Sequence, residues 1–353
     1  MASRKAKASN KKAINLALQG GGAHGAYTWG VLDRLLEDGR VSIEAVSGTS
    51  AGAMNAVVVA DGLMRGGPEG ARESLERFWK AVSEAGRMSP IQRGPIDVFM
   101  GNWSLDNSPS YVFFDLLNRV TSPYDMNPLG LNPLAAILEE AVDFDLVRGC
   151  DSMKIFISAT NVETGRVKVF KRDELTCDMV MASACLPFMF QAVEIEGVPY
   201  WDGGYMGNPV LFPFYGACES DDIVIVQINP VERKGTPRSA REILNRVNEI
   251  SFNGSLLKEL RAIDFVQRLL EEGKLEAQDY RRLHVHIVES QEKIMKLGAS
   301  SKLNAEWAFL QHLFEVGRSA ADDWLETCYD QLGVRSTVDT RAMFQGLGAQ
   351  HHG

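Results

Sequence analysis

Gly48-Thr49-Ser50-Ala51-Gly52 sits between two apolar runs, in the stretch VSIEAVSGTSAGAMNAVVVA at residues 41–60. Ile43 to Val46 reads as a buried strand, and the Ala/Met/Val run after Gly52 reads as a buried helix. The chain must therefore turn from strand to helix within a few residues. A serine on such a turn is pushed out above the sheet, where a substrate can reach it. Gly48 and Gly52 carry no side chains, so the strained turn can form and the helix can pack close to the strand. The helix also aims its N-terminal dipole at Ser50, which favours negative charge there. A G-x-S-x-G string alone says little, because Gly, Ser and Ala are common. A strand before it and an apolar helix after it make it an α/β signature.

A second strand-to-helix turn lies upstream. Residues 13–18 (AINLAL) read as a short buried strand, followed by Gln19-Gly20-Gly21-Gly22-Ala23-His24-Gly25-Ala26 and a helical pattern through Leu36. Consecutive glycines at such a turn expose backbone N–H groups, and such donors bind anions. Beside a nucleophilic serine they form an oxyanion hole, the donor set that stabilises a tetrahedral acyl intermediate. Gly20-x-Gly22-x-x-Gly25 also fits a dinucleotide-binding fingerprint. That fold places an acid about 20 residues on, at the end of the next strand. Glu44 has the spacing but sits early in its strand, and the strand's end, Val46-Ser47-Gly48, carries no carboxylate.

Tyr200-Trp201-Asp202-Gly203-Gly204 is the third element. It follows a hairpin pattern, residues 192–195, then Glu196-Gly197, then 198–201. Asp202 falls on a turn at a strand end, and Gly203 and Gly204 permit close backbone approach. Taken alone, Asp-Gly-Gly is a solvated turn. The elbow and the glycine loop upstream turn Asp202 into a candidate partner for Ser50.

In this order, glycine loop, Gly-Thr-Ser-Ala-Gly and Asp-Gly-Gly together resemble the patatin-like phospholipases. The resemblance spans about residues 13–230 and includes Met181-Ala182-Ser183-Ala184-Cys185-Leu186-Pro187, similar to that family's Ser-Ala-x-x-Pro segment. It implies an α/β fold, a three-layer α/β/α sandwich with a central, mainly parallel sheet. It implies Ser50 as nucleophile, Asp202 as its partner in a dyad, and Gly20, Gly21 and Gly22 as bearers of the oxyanion-hole amides. It implies hydrolysis of lipid acyl esters, of phospholipase A or lysophospholipase type, with no metal and no organic cofactor. Gly48, Gly52, Gly203 and Gly204 belong to the surroundings of that site. The family's loop usually places Arg or Lys where this chain has His24. A histidine supplies a cation only when protonated, and its ordinary pKa is near 6.5. His24 is therefore placed near the site without a role.

A serine hydroxyl needs a base to take its proton as it attacks, and the usual base is a histidine held by a carboxylate. His284 and His286 alternate in LHVHIV (283–288), so both point to one face of a strand. The order Ser50, Asp202, His284 or His286 is that of an α/β-hydrolase triad. His312 is the remaining candidate. A His-dependent esterase thus stays open, as does an acyltransferase using the same serine, with polyester or thioester substrates included. A non-catalytic lipid- or nucleotide-binding module is the alternative outside enzymes.

The 353 residues are 45% hydrophobic and 24% charged with a net charge of −9, an ordinary globular balance without a nucleic-acid footprint. The substrate is expected at a membrane or lipid-granule surface, and the oligomeric state stays unknown. Five dispersed cysteines with no metal spacing point to a reducing compartment, and a cytoplasmic protein, peripheral at a membrane or lipid surface, is expected. No run approaches the roughly 20 apolar residues of a membrane span. Residues 1–12 read as a disordered basic tail, 13–230 as the catalytic domain, 231–340 as a helical C-terminal part packed on the core, and 341–353 as a loose tail. Residues 87–132 form an irregular insertion with Phe99, Met100, Trp103, Tyr111, Phe113, Phe114 and Tyr124. It suits a cap over an acyl groove or a plug at the core edge equally.

Overall fold

The computed structural model describes residues 11–117, 120–276, 278–295 and 297–346. Most of the expected basic tail and the last seven residues lie outside this range. The first half alternates strand and helix: β1 (Lys12–Leu18), α1 (Gly25–Asp38), β2 (Val41–Gly48) and α2 (Ala51–Gly86). The helix after the elbow runs on to Gly86 as α2 across a kink, where Gly66 and Gly67 (φ 62°, ψ −152°) leave helical geometry just before Pro68. Short helices follow, α3 (Pro95–Phe99), α4 (Pro109–Leu117), α5 (Pro123–Met126) and α6 (Pro133–Ala141), then α7 (Phe144–Arg148). The first four each open on a proline, whose fixed φ and missing N–H suit a first helical position.

Next come β3 (Lys154–Asn161), β4 (Val167–Lys171), α8 (Cys177–Ser183), β5 (Val193–Ile195), β6 (Val198–Asp202), α9 (Phe212–Ala217) and β7 (Asp222–Val226). The chain closes with α10 (Ala240–Glu271), β8 (His284–Val288), α11 (Gln291–Ile294), α12 (Trp307–Cys328) and α13 (Thr340–Gln345). The β5–β6 hairpin turns on Glu196 (φ 53°) and Gly197 (φ 76°). Positive φ at both central residues matches the right-handed twist of the strands. Residues from 341 on, expected to be loose, begin instead inside α13. The Asp339 side chain caps that helix by accepting from Ala342 N–H, and Met343 packs against the core.

All eight strands form one sheet in the order β5-β6-β3-β2-β1-β7-β8, with β4 also paired to β3. β1, β2, β3, β7 and β8 run parallel, while β4, β5 and β6 pair antiparallel. Side chains alternate between two cores, as a sheet buried on both faces requires. Ile14, Leu16, Leu18, Val46, Ile155, Ile157, Val224 and Val226 face the core made with α1, α2, α8 and α12. Ala17, Ala45, Phe156, Ile223, Ile225 and Val285 face the core made with α9 and α10. The result is a three-layer α/β/α sandwich.

Strand register brings the motifs together. β4 occupies one edge of β3 from Phe156 to Thr160. β2 pairs with β3 up to Gly48 opposite Ile157, and β6 pairs from Asp202 opposite Ala159. Both pairings overlap the β4 span, so β2 and β6 must share the other edge of β3. Where β2 leaves that edge for the elbow, β6 takes over, and Asp202 sits level with the residues just beyond Gly48.

Candidate active site

Ser50 sits between β2 and α2 with φ 55° and ψ −122°. A non-glycine residue there costs on the order of 1–3 kcal/mol and persists only when its surroundings hold it. The Ser50 N–H donates to Ser183 Oγ at 2.8 Å. The buried hydroxyls of Thr49 and Ser158 lie 2.6 Å apart, and both reach the Gly207 carbonyl, at 2.8 and 3.1 Å. Gly48 and Gly52 are required by packing. A Cβ on Gly48 would strike the Gly52 backbone at 2.6 Å, and one on Gly52 would strike the end of β1.

Asp202 ends β6 and is 3% exposed. One carboxylate oxygen accepts from Gly204 N–H at 2.7 Å. Its own N–H donates to Cys185 O at 2.8 Å, and its carbonyl accepts from Thr160 Oγ1 at 2.8 Å. Burial raises its pKa from the ordinary carboxylate range to about 6. The Gly204 amide, the Ser50 side chain and the charge of Lys302 pull it partly back. Gly203 passes so close to Ser158 that any side chain would meet its carbonyl, which locks this turn to β3. The Ser183–Cys185 segment thus ties both motifs, holding Ser50 by a hydroxyl and Asp202 by a carbonyl.

The glycine loop presses on the elbow from the β1 side. A Cβ on Gly20 would lie 2.7 Å from Ser50 Cβ and 2.8 Å from Thr49 O. The Gly20 N–H, however, donates to Asn208 Oδ1 at 2.6 Å. This corrects the expectation that all three glycines offer free amides. Gly21 and Gly22 N–H have no acceptor among the described residues, and Gly22 takes φ 58°. Ala51 N–H, at the start of α2, is likewise free there. Buried amides fix the loop: Gln19 Oε1 accepts from Ile228 N–H and Asn229 N–H at 2.9 Å each, and Asn229 Nδ2 donates to Gly20 O at 2.7 Å. Asn208, Asn229 and Gln19 carry no local motif that a sequence reading could seize.

His24 begins α1 beside this loop, 2% exposed, with Nε2 2.8 Å from Ser301 Oγ. Burial, then the nearby Lys302 charge, push its pKa down to about 3, so it stays neutral at ordinary pH. The other candidate histidines lie elsewhere. His284 and His286 pair at the start and middle of the edge strand β8 with Asp222, which opens β7, and β1 and β7 lie between them and β2. His286 Nε2 is 3.0 Å from Asp222 Oδ1 and its Nδ1 is 3.0 Å from Thr337 Oγ1, so both ring nitrogens are engaged. His312 stacks on Trp103. No histidine among the described residues hydrogen-bonds Ser50 or Asp202. Glu44, the ribose candidate of the nucleotide reading, is held by Lys154 Nζ and by Glu219 and Ser220 N–H at 2.8 Å each, near the start of β7.

Among the described residues no group of His, Cys, Asp and Glu is arranged to hold a metal ion, all five cysteines are free, and no helix is long and apolar enough to cross a membrane.

No curated protein matches the chain. Among solved structures, VipD from Legionella pneumophila aligns at 15% identity and TM-score 0.34, over 87% of this chain and 67% of VipD. ExoU, in its heterodimeric complex with SpcU from the type III secretion system of Pseudomonas aeruginosa, aligns at 16% identity and TM-score 0.36. That alignment covers 92% of this chain and 53% of ExoU, so the chain spans about half the ExoU length. The family model for patatin-like phospholipase matches residues 16–215, more than half of the sequence, and takes in the glycine loop, the elbow and the Asp-Gly-Gly turn. The chain belongs to the patatin-like phospholipases, a family of lipid hydrolases.

Proposed function

We propose that this protein is a serine acyl hydrolase that cleaves lipid acyl esters, of phospholipase A or lysophospholipase type, through a Ser50–Asp202 dyad. One observation carries the reading: strand register sets the buried Asp202 carboxylate level with Ser50 at the end of β2, and burial raises its pKa to about 6. Such a group is ionised near neutral pH yet basic enough to take a hydroxyl proton.

Ser50 Oγ attacks the ester carbonyl while Asp202 accepts its proton. The oxyanion of the tetrahedral intermediate is stabilised by the free amides of Gly21 and Gly22, with Ala51 N–H at the positive end of α2 as a third donor. Collapse breaks the ester bond, and the leaving alcohol takes the proton back from Asp202. A water then gives its proton to Asp202 and attacks the acyl-serine, and the second collapse returns the proton to Ser50 and releases the fatty acid. Asn208 and Asn229 keep the glycine loop in register for this chemistry.

The test joins labelling with pH. A fluorophosphonate should modify Ser50 alone among the serines and should not label Ser50→Ala. Asp202→Asn should lose turnover about as completely as Ser50→Ala, with a double variant little worse than either, because groups acting as one unit are not additive. The base must be deprotonated, so kcat/KM should fall as pH drops through about 6 and stay level above it. Replacing His284, His286 or His312 by Asn should keep most activity. A folded histidine variant as inactive as Ser50→Ala would overturn the dyad.

A further inference from the structure

The turn at Ala299–Leu303 packs beneath the glycine loop. A Cβ on Gly22 would run into the Lys302 carbonyl. The Lys302 side chain passes the loop and ends on Asn229, with Nζ donating to Oδ1 at 2.7 Å. Lys302 is partly exposed along its length, but burial is the strongest influence on its ammonium and lowers its pKa. The charges facing it are Asp202 and Glu249, which favour its charge, and Arg233, which opposes it; the neutral His24 ring also lies near. Arg233 is itself paired with Glu249 at 2.7 Å.

An ammonium has donors only. Whatever lies against it must present an acceptor, so Lys302 obliges Asn229 to turn its oxygen inward to Nζ. The Asn229 NH2 then faces the other way, donating to Gly20 O at 2.7 Å and to Gln19 Oε1 at 3.3 Å. Gly20 O and Gly21 N–H are opposite edges of one planar trans peptide. Fixing the carbonyl on Asn229 therefore fixes the direction of the Gly21 amide. The same ammonium is the one cation among the described residues whose charge reaches Asp202. His24, the basic residue of the loop itself, is neutral and cannot share that task.

We propose that Lys302 is a positioning residue for the ester hydrolysis, orienting the Gly21 amide through Asn229. The proposal rests on the Ser50–Asp202 reading. It assigns work at the site to a residue far beyond the matched family segment, which ends at residue 215. The other titratable groups beside Asp202 are Tyr205 and Cys185, both pushed by burial up to about 12 and so neutral across the working range.

Lys302→Met and Lys302→Arg separate charge from shape. With p-nitrophenyl butyrate, Lys302→Met should lower kcat roughly tenfold to a hundredfold, because a tilted oxyanion donor loses transition-state stabilisation, while KM changes little. Its acid limb should also move to higher pH by about half a unit or more, since Asp202 loses a favourable positive charge. Lys302→Arg should restore the limb and most of kcat, whereas His24→Asn should leave the limb where it was. If the methionine variant fails to fold by circular dichroism, Lys302→Gln takes its place. Titration of the Asp202 carboxyl by carbon NMR reads the same shift without turnover. A protein that hydrolyses no ester and takes no fluorophosphonate would thus sink the Ser50 reading while the Lys302–Asp202 coupling is still measured. A folded Lys302→Met or Lys302→Gln that keeps the unsubstituted protein's kcat, or an arginine variant as poor as the neutral ones, overturns the proposal.

Discussion

The Ser50 N–H has one acceptor, the Ser183 hydroxyl at 2.8 Å, and that bond crosses 133 residues of sequence. It helps to hold a residue whose φ of 55° is otherwise unfavourable. Ser183→Ala leaves a partly buried donor unpaired, which costs about 1–2 kcal/mol. The expected outcome is a small loss of melting temperature together with a clearly slower fluorophosphonate reaction at Ser50. Slower labelling identifies the hydroxyl as a support of the nucleophile, and an unchanged rate in a destabilised variant reduces it to a structural bond. Ser50, Asp202 and the glycines were legible in the sequence because each lies in a contiguous motif whose backbone demands are local. Ser183 was legible only as part of a family segment. Asn208, Asn229 and Lys302 were not legible at all, since a single polar residue acquires its partner only when distant elements dock.

At the scale of elements, the strands were readable from alternation and apolar runs, and β5–β6 from its Glu-Gly turn. The segment between α2 and α6 was not, because its Pro, Asn and Gly content masks three short helices. Its root is anchored. Arg93 makes a two-pronged ion pair with Glu306 and lies 4.4 Å over the Trp103 ring, while Ser104 and Leu105 bond to Ser300 Oγ in the turn that carries Lys302. Beyond that root the segment presents Phe99 and Leu129, 88% and 80% exposed, with Ile96, Met100 and Leu131 also outward. The root therefore plugs the core edge, while these outward side chains make an exposed apolar face. Such a face fits contact with lipid. Turnover of a long-chain ester should accordingly rise when it is offered in vesicles. Phe99→Ser combined with Leu129→Ser should abolish that rise while sparing the hydrolysis of a short soluble ester. Equal loss on both substrates would mean that the segment supports the fold instead.

The whole molecule bears on whether residues 231–340 are an appendage. β8 extends the central sheet beside β7, α10 covers one face and α12 covers the other. α12 lies so close to α1 that side chains on Gly30 or Gly317 would collide with the opposing backbone. Lys12, expected within the disordered basic tail, opens β1 and donates to the carbonyls of Tyr329 and Leu332, each at 3.0 Å. Amphipathic patterning revealed these helices in the sequence but not the layer each one covers, because a helical stripe does not name its partner. We expect the part after residue 230 to be inseparable from the catalytic part. Removing it strips Leu256, Leu260 and Ile263 from Ala17, Ile223 and Ile225. Burial of one such side chain is worth about 1.5–3 kcal/mol, so these three alone give back roughly 5–9 kcal/mol. That is comparable with the entire stability of a typical domain, about 5–15 kcal/mol. The full chain should therefore unfold in one calorimetric transition whose van't Hoff and calorimetric enthalpies agree. A chain ending at Pro230 should neither fold nor react with fluorophosphonate, having also lost Lys302 and the support of the glycine loop. Two resolved transitions, or a soluble truncated chain that still labels at Ser50, would make the C-terminal part an independent domain.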